Sequence, residues 1–246
     1  MQISVWNGAS MSLTTRLYKE VIELGKNWNN IWKDNDKLRR WSIPDKYFLN
    51  FVNDIEIIPN EYNVLDIGCG VGRHSLYFAK KGANVLALDN SEACMEYLLN
   101  ETKKINVKID LELNDFKKLP FIESNTQDLI ICWNALYHNK FDAMKDMLRE
   151  VYRILKSNGI LIITFLSSNN IHYGEGIEIE KNTFSDQDRL DNEHFHHYSN
   201  KEEVYQLLKD FEITDIIEAE EEVGGKFFEE RWHWYIKCKG REKNEQ

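Results

Sequence analysis

Three glycines at alternating positions form the part of the sequence most suited to ligand chemistry. They lie in Asp66-Ile67-Gly68-Cys69-Gly70-Val71-Gly72, directly after the apolar pair Val64-Leu65. Glycine has no Cβ, so a glycine-rich turn lets a ligand approach the backbone where another side chain would collide with it. Because open α/β sheets bind ligands beyond the carboxyl ends of their strands, a turn of this kind after a strand predicts a ligand site.

The spacing of this turn argues against two nucleotide-binding motifs. The dinucleotide fingerprint Gly-x-Gly-x-x-Gly/Ala would need a small residue at position 73, where the chain has Arg73. The phosphate loop of nucleotide hydrolases needs a Gly-Lys-Ser/Thr sequence, which does not follow the turn. A nicotinamide-dependent oxidoreductase is therefore disfavoured.

Apolar runs and helical periodicity alternate along the chain. Buried strands are predicted at 63–67, 84–88, 107–113, 128–133 and 160–166. Helices are predicted at 13–32, 45–52, 72–81, 92–104, 141–155 and 201–210, with Ser157-Asn158-Gly159 as the stop signal of the fifth. Two closing strands, at 211–219 and 232–239, are predicted to be joined by a loop at 220–230. The alternation is typical of a parallel sheet covered by helices on both faces.

Length, charge and cysteine content limit the class of protein. The chain has 246 residues, enough for one large domain. Its net charge of −10 disfavours nucleic acid as a partner, because an acidic surface repels phosphates. Four cysteines without a CxxC pair favour free thiols in the cytoplasm over disulfides or a structural zinc site. No apolar run approaches the ~20 residues of a membrane-spanning helix, so no membrane association is expected.

The glycine turn and its neighbours resemble the first motif of the class I S-adenosylmethionine-dependent methyltransferase family. The match runs from Val64 to His74, and the resemblance extends from about residue 63 to residue 166. Within the family, the chain is most similar to the small-molecule branch that includes the type-11 and tellurite-resistance methyltransferases. The resemblance implies a Rossmann-like, doubly wound, mostly parallel seven-stranded sheet with an antiparallel last strand. It also implies S-adenosylmethionine as the cofactor and S-adenosylhomocysteine as its product.

A single methyltransferase domain is predicted at residues 13–240. Residues 1–12 are predicted to be a leader or a disordered start, and residues 241–246 a polar tail. The domain is divided into an N-terminal helical lid at 13–60, a cofactor-binding core at 61–168, a substrate-side insertion at 169–200, and a closing helix and strands at 201–240. The lid would carry Trp28, Trp32 and Trp41, which either cover the cofactor or pack onto the sheet.

The resemblance implies that residues after the second, third and fourth strands contact the cofactor. They are Asp89, Asn90, Ser91, Asn114, Asp115, Phe116, Trp133 and Asn134. In the family an acid at the place of Asp89 accepts the ribose hydroxyls. Asp115 would face the adenine amino group, and the segment that starts at Trp133 would lie by the methionine half.

Around the glycine turn, the predicted cofactor-binding residues are Asp66, Gly68, Cys69, Gly70, Gly72, Arg73 and His74. Four of the side chains also have a structural interpretation. Asp66 could cap the turn through its amides, and Cys69 is explained more simply as a small filler than as a nucleophile. Arg73 and His74 open a helix, where packing and cofactor contact are alternatives of equal weight.

Candidate residues on the acceptor side come from outside these motifs. Tyr137 and His138 follow the fourth strand, and His197 belongs to the cluster from His194 to Tyr198. Histidine can act as a base near neutral pH. A loop whose imidazoles bond to nearby groups is the simpler explanation of the cluster, and no metal site is predicted.

Two stretches near the end of the sequence are predicted to be structural. Trp232, Trp234 and Ile236 alternate in a strand and are expected in the core. Glu218 to Glu222 is expected to be a solvated edge. Arg231 is expected to pair with Glu229 or Glu230, with a substrate carboxylate as the alternative.

The sequence thus predicts an enzyme that moves a methyl group to a small-molecule acceptor, as a monomer or a homodimer. The reaction is an in-line displacement with a neutral leaving group, so positioning and the exclusion of water can supply most of the acceleration. A prominent catalytic constellation is therefore not required. Two alternatives remain, an RNA or protein methyltransferase of the same fold and a non-catalytic regulator that binds the cofactor. The acceptor itself is not predicted.

Overall fold

The computed structural model describes residue 38, residues 40–185 and residues 195–242. The predicted leader at 1–12, the helix at 13–32, and the residues Trp28, Trp32 and His194 lie outside the described residues. The predicted lid can therefore be followed only in its last part, which includes Trp41.

Five helices and ten strands make up the regular structure of the described residues. The helices are α1 (Lys46–Val52), α2 (Arg73–Lys80), α3 (Glu92–Ile105), α4 (Phe141–Ile154) and α5 (Lys201–Leu207). The first five strands are β1 (Asn63–Ile67), β2 (Asn84–Asp89), β3 (Asp110–Leu113), β4 (Gln127–Cys132) and β5 (Leu155–Ser167). The later strands are β6 (Ile177–Glu180), β7 (Thr183–Ser185), β8 (Phe195–Ser199), β9 (Phe211–Val223) and β10 (Lys226–Gly240).

Seven of the strands form the predicted sheet, in the order β3-β2-β1-β4-β5-β10-β9. The first five are parallel, with Leu65 of β1 opposite Leu86 of β2 and Ile130 of β4. Strand β10 runs antiparallel to both β5 and β9. The prediction of a mostly parallel, doubly wound sheet with an antiparallel last strand is confirmed.

A three-stranded extension was not predicted. Strand β8 pairs in parallel with the end of β5, where Leu166 lies opposite Tyr198. Strands β7 and β6 follow it in antiparallel order. The short strands occupy the region 169–200, where the weak periodicity of a polar, aromatic segment had indicated only an insertion.

Helices cover both faces of the sheet, and neighbouring residues of one strand enter different cores. Ile130 and Ile163 belong to the core cluster that contains the buried side of α4. Ile131 and Ile162 belong to a second cluster, which contains Phe48 of α1 and the buried side of α2. Because successive side chains of a strand point to opposite faces, this division shows that both faces are packed.

The helix stop predicted at Ser157-Asn158-Gly159 is wrong. Helix α4 ends at Ile154 and β5 begins at Leu155, so these residues lie inside a strand. The register between β4 and β5 shifts at this point, and Asn158 has a φ of 62°. A bulge in β5 thus uses the same turn-forming residues that indicated a helix end.

The loop predicted at 220–230 is also wrong. Strand β9 continues to Val223, and the turn consists of Gly224 and Gly225, whose φ angles are 59° and 81°. Glu221 and Glu222 are buried, so the edge predicted at Glu218 to Glu222 is not fully solvated. Among the described residues, no helix has the length and apolar character needed to span a membrane.

Candidate functional site

The glycine turn between β1 and α2 is held in a left-handed backbone against its neighbours. Gly68, Gly70 and Gly72 have φ angles of 66°, 53° and 77°. A Cβ on Gly68 would lie 2.4 Å from the Cβ of Ala135, and one on Gly72 would lie 2.3 Å from a Cδ of Leu98. These two positions therefore require glycine both for conformation and for space.

Asp66 lies beneath the turn and holds the start of α2. Its Oδ2 accepts hydrogen bonds from the backbone N–H of Ser75 at 3.1 Å and from the Ser75 hydroxyl at 2.6 Å. Burial raises the pKa of Asp66 to about 6, against the lowering effect of these hydrogen bonds. The arrangement supports the structural interpretation, in which Asp66 shapes the turn.

Asp89, the last residue of β2, connects the turn with the ends of β2 and β3. Its Oδ2 accepts the N–H of Gly70 at 2.8 Å, and its Oδ1 accepts the N–H of Ser91 at 2.9 Å. The Asp89 carbonyl accepts the N–H of Asn114 at 3.0 Å. Burial raises the pKa of Asp89, while these backbone donors act in the opposite direction. The carboxylate that the family resemblance assigned to the ribose is thus fixed beside the glycine turn.

The residues beyond β3 and β4 lie at the same edge of the sheet. The Asn114 side chain accepts the N–H of Phe116, which has a φ of 49°. Asp115 forms an ion pair with Lys117 at 3.2 Å. Asn134 has a φ of 55°, and its N–H donates to the hydroxyl of Thr164 at 2.7 Å. Asn90 is partly exposed at this edge.

Three predicted cofactor residues serve mainly in packing or capping. Trp133 is only 4% exposed, and its ring packs edge-on against Phe48 at 5.6 Å. Ser91 caps α3 by accepting the N–H of Cys94 at 3.3 Å. Burial raises the pKa of the Cys69 thiol well above its ordinary value, which fits a filler and not a nucleophile.

Arg73 and His74 fasten the segment before α1 to the turn. The guanidinium of Arg73 lies 3.8 Å from the Asp45 carboxylate and 5.0 Å from the centre of the Trp41 ring. The His74 ring stacks on Phe48 at 3.9 Å, and burial keeps its pKa well below the ordinary value. Both side chains are therefore part of the packing between the N-terminal segment and the glycine turn.

The assembled edge fits a nucleoside cofactor that carries a positive charge. It offers a glycine-rich turn, a fixed carboxylate at Asp89 and the polar residues Asn114 and Asn134. The basic side chain nearest the turn, Arg73, is buried and occupied by Asp45, so this edge does not present it to a phosphate. Asp89 and Gly70 would hold the nucleoside, and Asn134 would lie at the methionine end.

A cavity of about 320 Å³ lies beside this edge. It is lined by Tyr137, His138, Leu166, Asn170, His172, Glu175, Phe184, His196, Tyr198, Glu221, Arg231 and His233. The predicted acceptor residues Tyr137 and His138 are both on its wall. Their rings lie 4.6 Å apart, and the His138 and His196 rings lie 4.8 Å apart.

His197 is not on the cavity wall, contrary to the prediction for it. Its side chain is 1% exposed, and its Nδ1 lies 2.7 Å from the Thr183 hydroxyl. The ring packs against Phe141 at 5.1 Å. Since successive residues of β8 point in opposite directions, it is His196 that faces the cavity. If the sequence of this cluster had been interpreted as a strand, the two histidines would have been predicted to face opposite sides.

Several lining residues were not recognised from the sequence. The acidic run predicts a solvated edge for Glu221, but its carboxylate lies 3.8 Å from the Arg231 guanidinium at the cavity wall. Arg231 thus has a different partner from the predicted Glu229 or Glu230. His172 and His233 also line the cavity. Within the part of the chain that the structure describes, no group of three or more His, Cys, Asp or Glu residues could hold a metal ion.

Comparison with known proteins identifies a methyltransferase domain in the chain. Residues 64–159 match a family model described as a methyltransferase domain. The ribosomal protein L11 methyltransferase of Thermosipho melanesiensis is 29% identical over 126 residues, 51% of this chain and 46% of that protein. The ubiquinone biosynthesis O-methyltransferase of Rickettsia akari is 24% identical over 210 residues, 79% of this chain and 78% of that protein. The chain spans about half the length of the first curated relatives that it matches, with 46% and 51% for two of them.

Solved structures show the same fold. A SAM-dependent methyltransferase from Methanosarcina mazei superposes with a TM-score of 0.64 at 18% identity, covering 82% of this chain and 100% of that one. The 1,6-didemethyltoxoflavin-N1-methyltransferase of Burkholderia thailandensis gives a TM-score of 0.63 at 17% identity, covering 96% of this chain and 92% of that one. The matched residues therefore form a methyltransferase domain, and the fold around them is that of solved SAM-dependent methyltransferases.

Proposed function

We propose that this protein transfers a methyl group from S-adenosylmethionine to a small-molecule acceptor bound in the cavity beside Tyr137 and His138. The main support for the proposal is that the segment after β4 first contacts the glycine turn and then lines the cavity. Ala135 packs against Gly68 of the glycine turn, and Tyr137, two residues later, lines the cavity. One short segment therefore borders both the cofactor edge and the cavity.

Methyl transfer requires the protein mainly to position the acceptor and the cofactor. Bound S-adenosylmethionine would supply an electrophilic methyl group on a sulfonium. The residues of this chain would hold the acceptor in line with that methyl group and keep water out. Leu166, Phe184 and Tyr198 give the cavity an apolar wall suited to the exclusion of water.

The size and charge of the site favour a small acceptor over a macromolecule. About 320 Å³ is at the lower end of the range of roughly 300–1,000 Å³ for small-molecule sites. The net charge of −10 opposes RNA binding. Curated relatives include both a ubiquinone biosynthesis enzyme and a ribosomal protein methyltransferase, so their names support the reaction more firmly than the acceptor.

Calorimetric titration with S-adenosylmethionine, S-adenosylhomocysteine and NAD tests the cofactor. We expect both sulfur ligands to bind and NAD to fail. Asp89→Ala removes a charged hydrogen-bond acceptor, and we expect it to weaken S-adenosylmethionine binding about 100-fold, or ~3 kcal/mol.

Asp110→Ala is a matched control, because this aspartate is 68% exposed at the edge of the sheet, in an ion pair with Lys108. It should bind S-adenosylmethionine as tightly as the parent protein does. Failure of the parent protein to bind either sulfur ligand at millimolar concentration would refute the proposal. Release of S-adenosylhomocysteine over a panel of acceptors would then separate an enzyme from a regulator that only binds the cofactor.

A further inference from the structure

The wall of the cavity contains a pair of opposite charges on neighbouring strands. The Glu221 carboxylate of β9 lies 3.8 Å from the Arg231 guanidinium of β10. Glu221 is buried, whereas the Arg231 side chain is 43% exposed and so can be reached by a ligand. A guanidinium carries five N–H donors, and a single ion pair cannot use all of them.

An irregular stretch of β10 sets the position of Arg231. Strand pairing runs from Phe228 opposite Glu221 to Trp232 opposite Glu220, so three extra residues of β10 fall between these two pairs. Glu230, in the middle of this bulge, has a φ of 61°. Its carbonyl accepts the N–H of Ile171 at 2.7 Å.

A bulge of this kind has a cost and a consequence. A left-handed backbone strains a residue other than glycine, because its Cβ lies too close to the following carbonyl oxygen. Bulges turn side chains in new directions, often beside active sites. Here the residue that directly follows the strained position is Arg231, and its side chain lines the cavity.

The charged side chains that line the cavity indicate which charges a matching ligand would carry. The lining residues with such charges are Glu175, Glu221 and Arg231. A net anion would face two carboxylates, and a simple cation would face the guanidinium. A molecule that carries both charges can place each one beside its opposite.

His233 of the wall does not change this balance of charges. Burial lowers the pKa of His233 to about 4, so its ring is neutral at pH 7. His172 lies 2.8 Å from Glu175, a second acid–base pair at the cavity. The rings of Tyr137, His138 and His196 form an aromatic part of the wall, next to the charged part.

We propose that the methyl acceptor is a small zwitterion, whose ammonium group is bound by Glu221 and whose carboxylate group is bound by Arg231. The inference rests on the proposed function, since it specifies the ligand of the same cavity. Arg231 can bind a carboxylate with two parallel hydrogen bonds, and a buried carboxylate is a strong partner for an ammonium group. The pair at 3.8 Å would thus act as a recognition element for a ligand of net zero charge.

Four probes that share one ring and differ only in charge test this inference. They are tyrosine, tyramine, 3-(4-hydroxyphenyl)propionate and 4-ethylphenol, titrated into the protein by calorimetry with and without S-adenosylhomocysteine. A second series carries the same four side-chain charge patterns on an imidazole ring (histidine, histamine, imidazolepropionate and 4-ethylimidazole). It serves in case the phenol ring does not fit the cavity. We expect the zwitterion of at least one series to bind at least tenfold more tightly than its cationic, anionic and neutral relatives.

Two variants assign the charges. Glu221→Gln should abolish the advantage of the zwitterion over the anion, and Arg231→Gln should abolish its advantage over the cation. Glu229→Gln is the matched control, because this exposed carboxylate lies in the same bulge and does not line the cavity, and it should leave both advantages in place. Thermal unfolding of each variant reports whether the fold is intact.

The ranking of probes by the parent protein decides the inference even if a variant fails to fold. Equal affinity within each series, tighter binding of an anion or a cation, or no binding at all would overturn it. Any of these results in a protein that binds S-adenosylhomocysteine would overturn the acceptor class alone. A protein that binds neither S-adenosylhomocysteine nor S-adenosylmethionine would overturn the proposed function itself.

Discussion

The cofactor edge and the acceptor cavity are built in different ways, although they share the segment after β4. The cofactor edge is formed mainly by the backbone. Its glycines have a left-handed conformation, and a carboxylate accepts hydrogen bonds from backbone N–H groups. In the cavity, the wall consists of side chains from β5, β7, β8, β9 and β10 and from the connections after β4 and β5. A site made of backbone needs particular residues in a short segment, whereas a site made of side chains can be assembled from distant ones.

Both regions bury ionisable side chains, and burial disfavours the charged form in each. The cofactor edge buries Asp66 and Asp89, whose carboxylates are held by hydrogen bonds to residues of the turn and helix starts. The cavity side buries the imidazoles of His197 and His233, whose pKa values are lowered by burial. Burial therefore raises the pKa of the two carboxylates and lowers the pKa of the two imidazoles.

Replacement of a turn glycine should give the largest effect. Gly68→Ala would force a Cβ to within 2.4 Å of Ala135 in a residue with a φ of 66°. We expect a loss of about 3 kcal/mol in the free energy of unfolding, from overpacking and left-handed strain together. Urea unfolding of the variant measures it.

Gly174→Ala is the control for the strain alone, since its φ is 85° and a Cβ there would meet nothing within 4 Å. It should cost only about 1 kcal/mol. Ala135→Gly combined with Gly68→Ala should recover part of the loss, because the clash is removed. Equal costs for Gly68→Ala and Gly174→Ala would show that the close packing of the turn is unimportant.

Protonation of His233 should give the next largest effect. The folded pKa of about 4 lies below the ordinary 6.5, so the unfolded chain takes up a proton first as the pH falls. The stability that the neutral ring contributes is present above pH 6.5 and is lost toward pH 4, by about 2–3 kcal/mol between pH 7 and pH 4.5.

Urea unfolding of the parent protein and of His233→Asn at several pH values isolates this contribution. We expect the variant to lose less stability on acidification, because the titrating ring is gone. Asp66 acts with the opposite sign: its pKa of about 6 makes its contribution fall as the pH rises from about 4 to 6. Parallel pH profiles of the two proteins would contradict the prediction for His233.

The smallest effects should separate two adjacent histidines. His197→Gln disrupts a buried contact with Thr183 at 2.7 Å, and we expect a loss of about 1 kcal/mol in stability with little change in acceptor binding. His196→Gln changes the cavity wall, and we expect weaker acceptor binding with stability within about 0.5 kcal/mol of the parent protein. Calorimetric titration and urea unfolding of both variants measure the two quantities. The reverse pattern would place the acceptor elsewhere.

Much of the cofactor half could be predicted because its signals are local. Strand β1, the turn and α2 follow one another within a short stretch, and a glycine spacing is visible without any knowledge of tertiary contacts. The errors arose where one local signal has two outcomes. Ser157-Asn158-Gly159 can end a helix or form a bulge, and the pairing of β5 with β4 and β10 selected the bulge.

The acceptor half was harder to predict because its polar residues are far apart in the sequence and come together only when the sheet forms. Glu221 sits in an acidic run that suggests a solvated edge, yet the antiparallel pairing of β9 with β10 buries it beside Arg231. Whether His196 or His197 faces the cavity depends on which residues of β8 point to that side of the strand. The sequence did not indicate that this segment is a strand. The sequence alone predicted the methyltransferase domain, the cofactor and the succession of the central strands along the chain, because these depend on short apolar runs and glycines close together in the chain. Only the tertiary structure decided which side chains face the cavity, because strand register and a bulge in β10 determine where each one points.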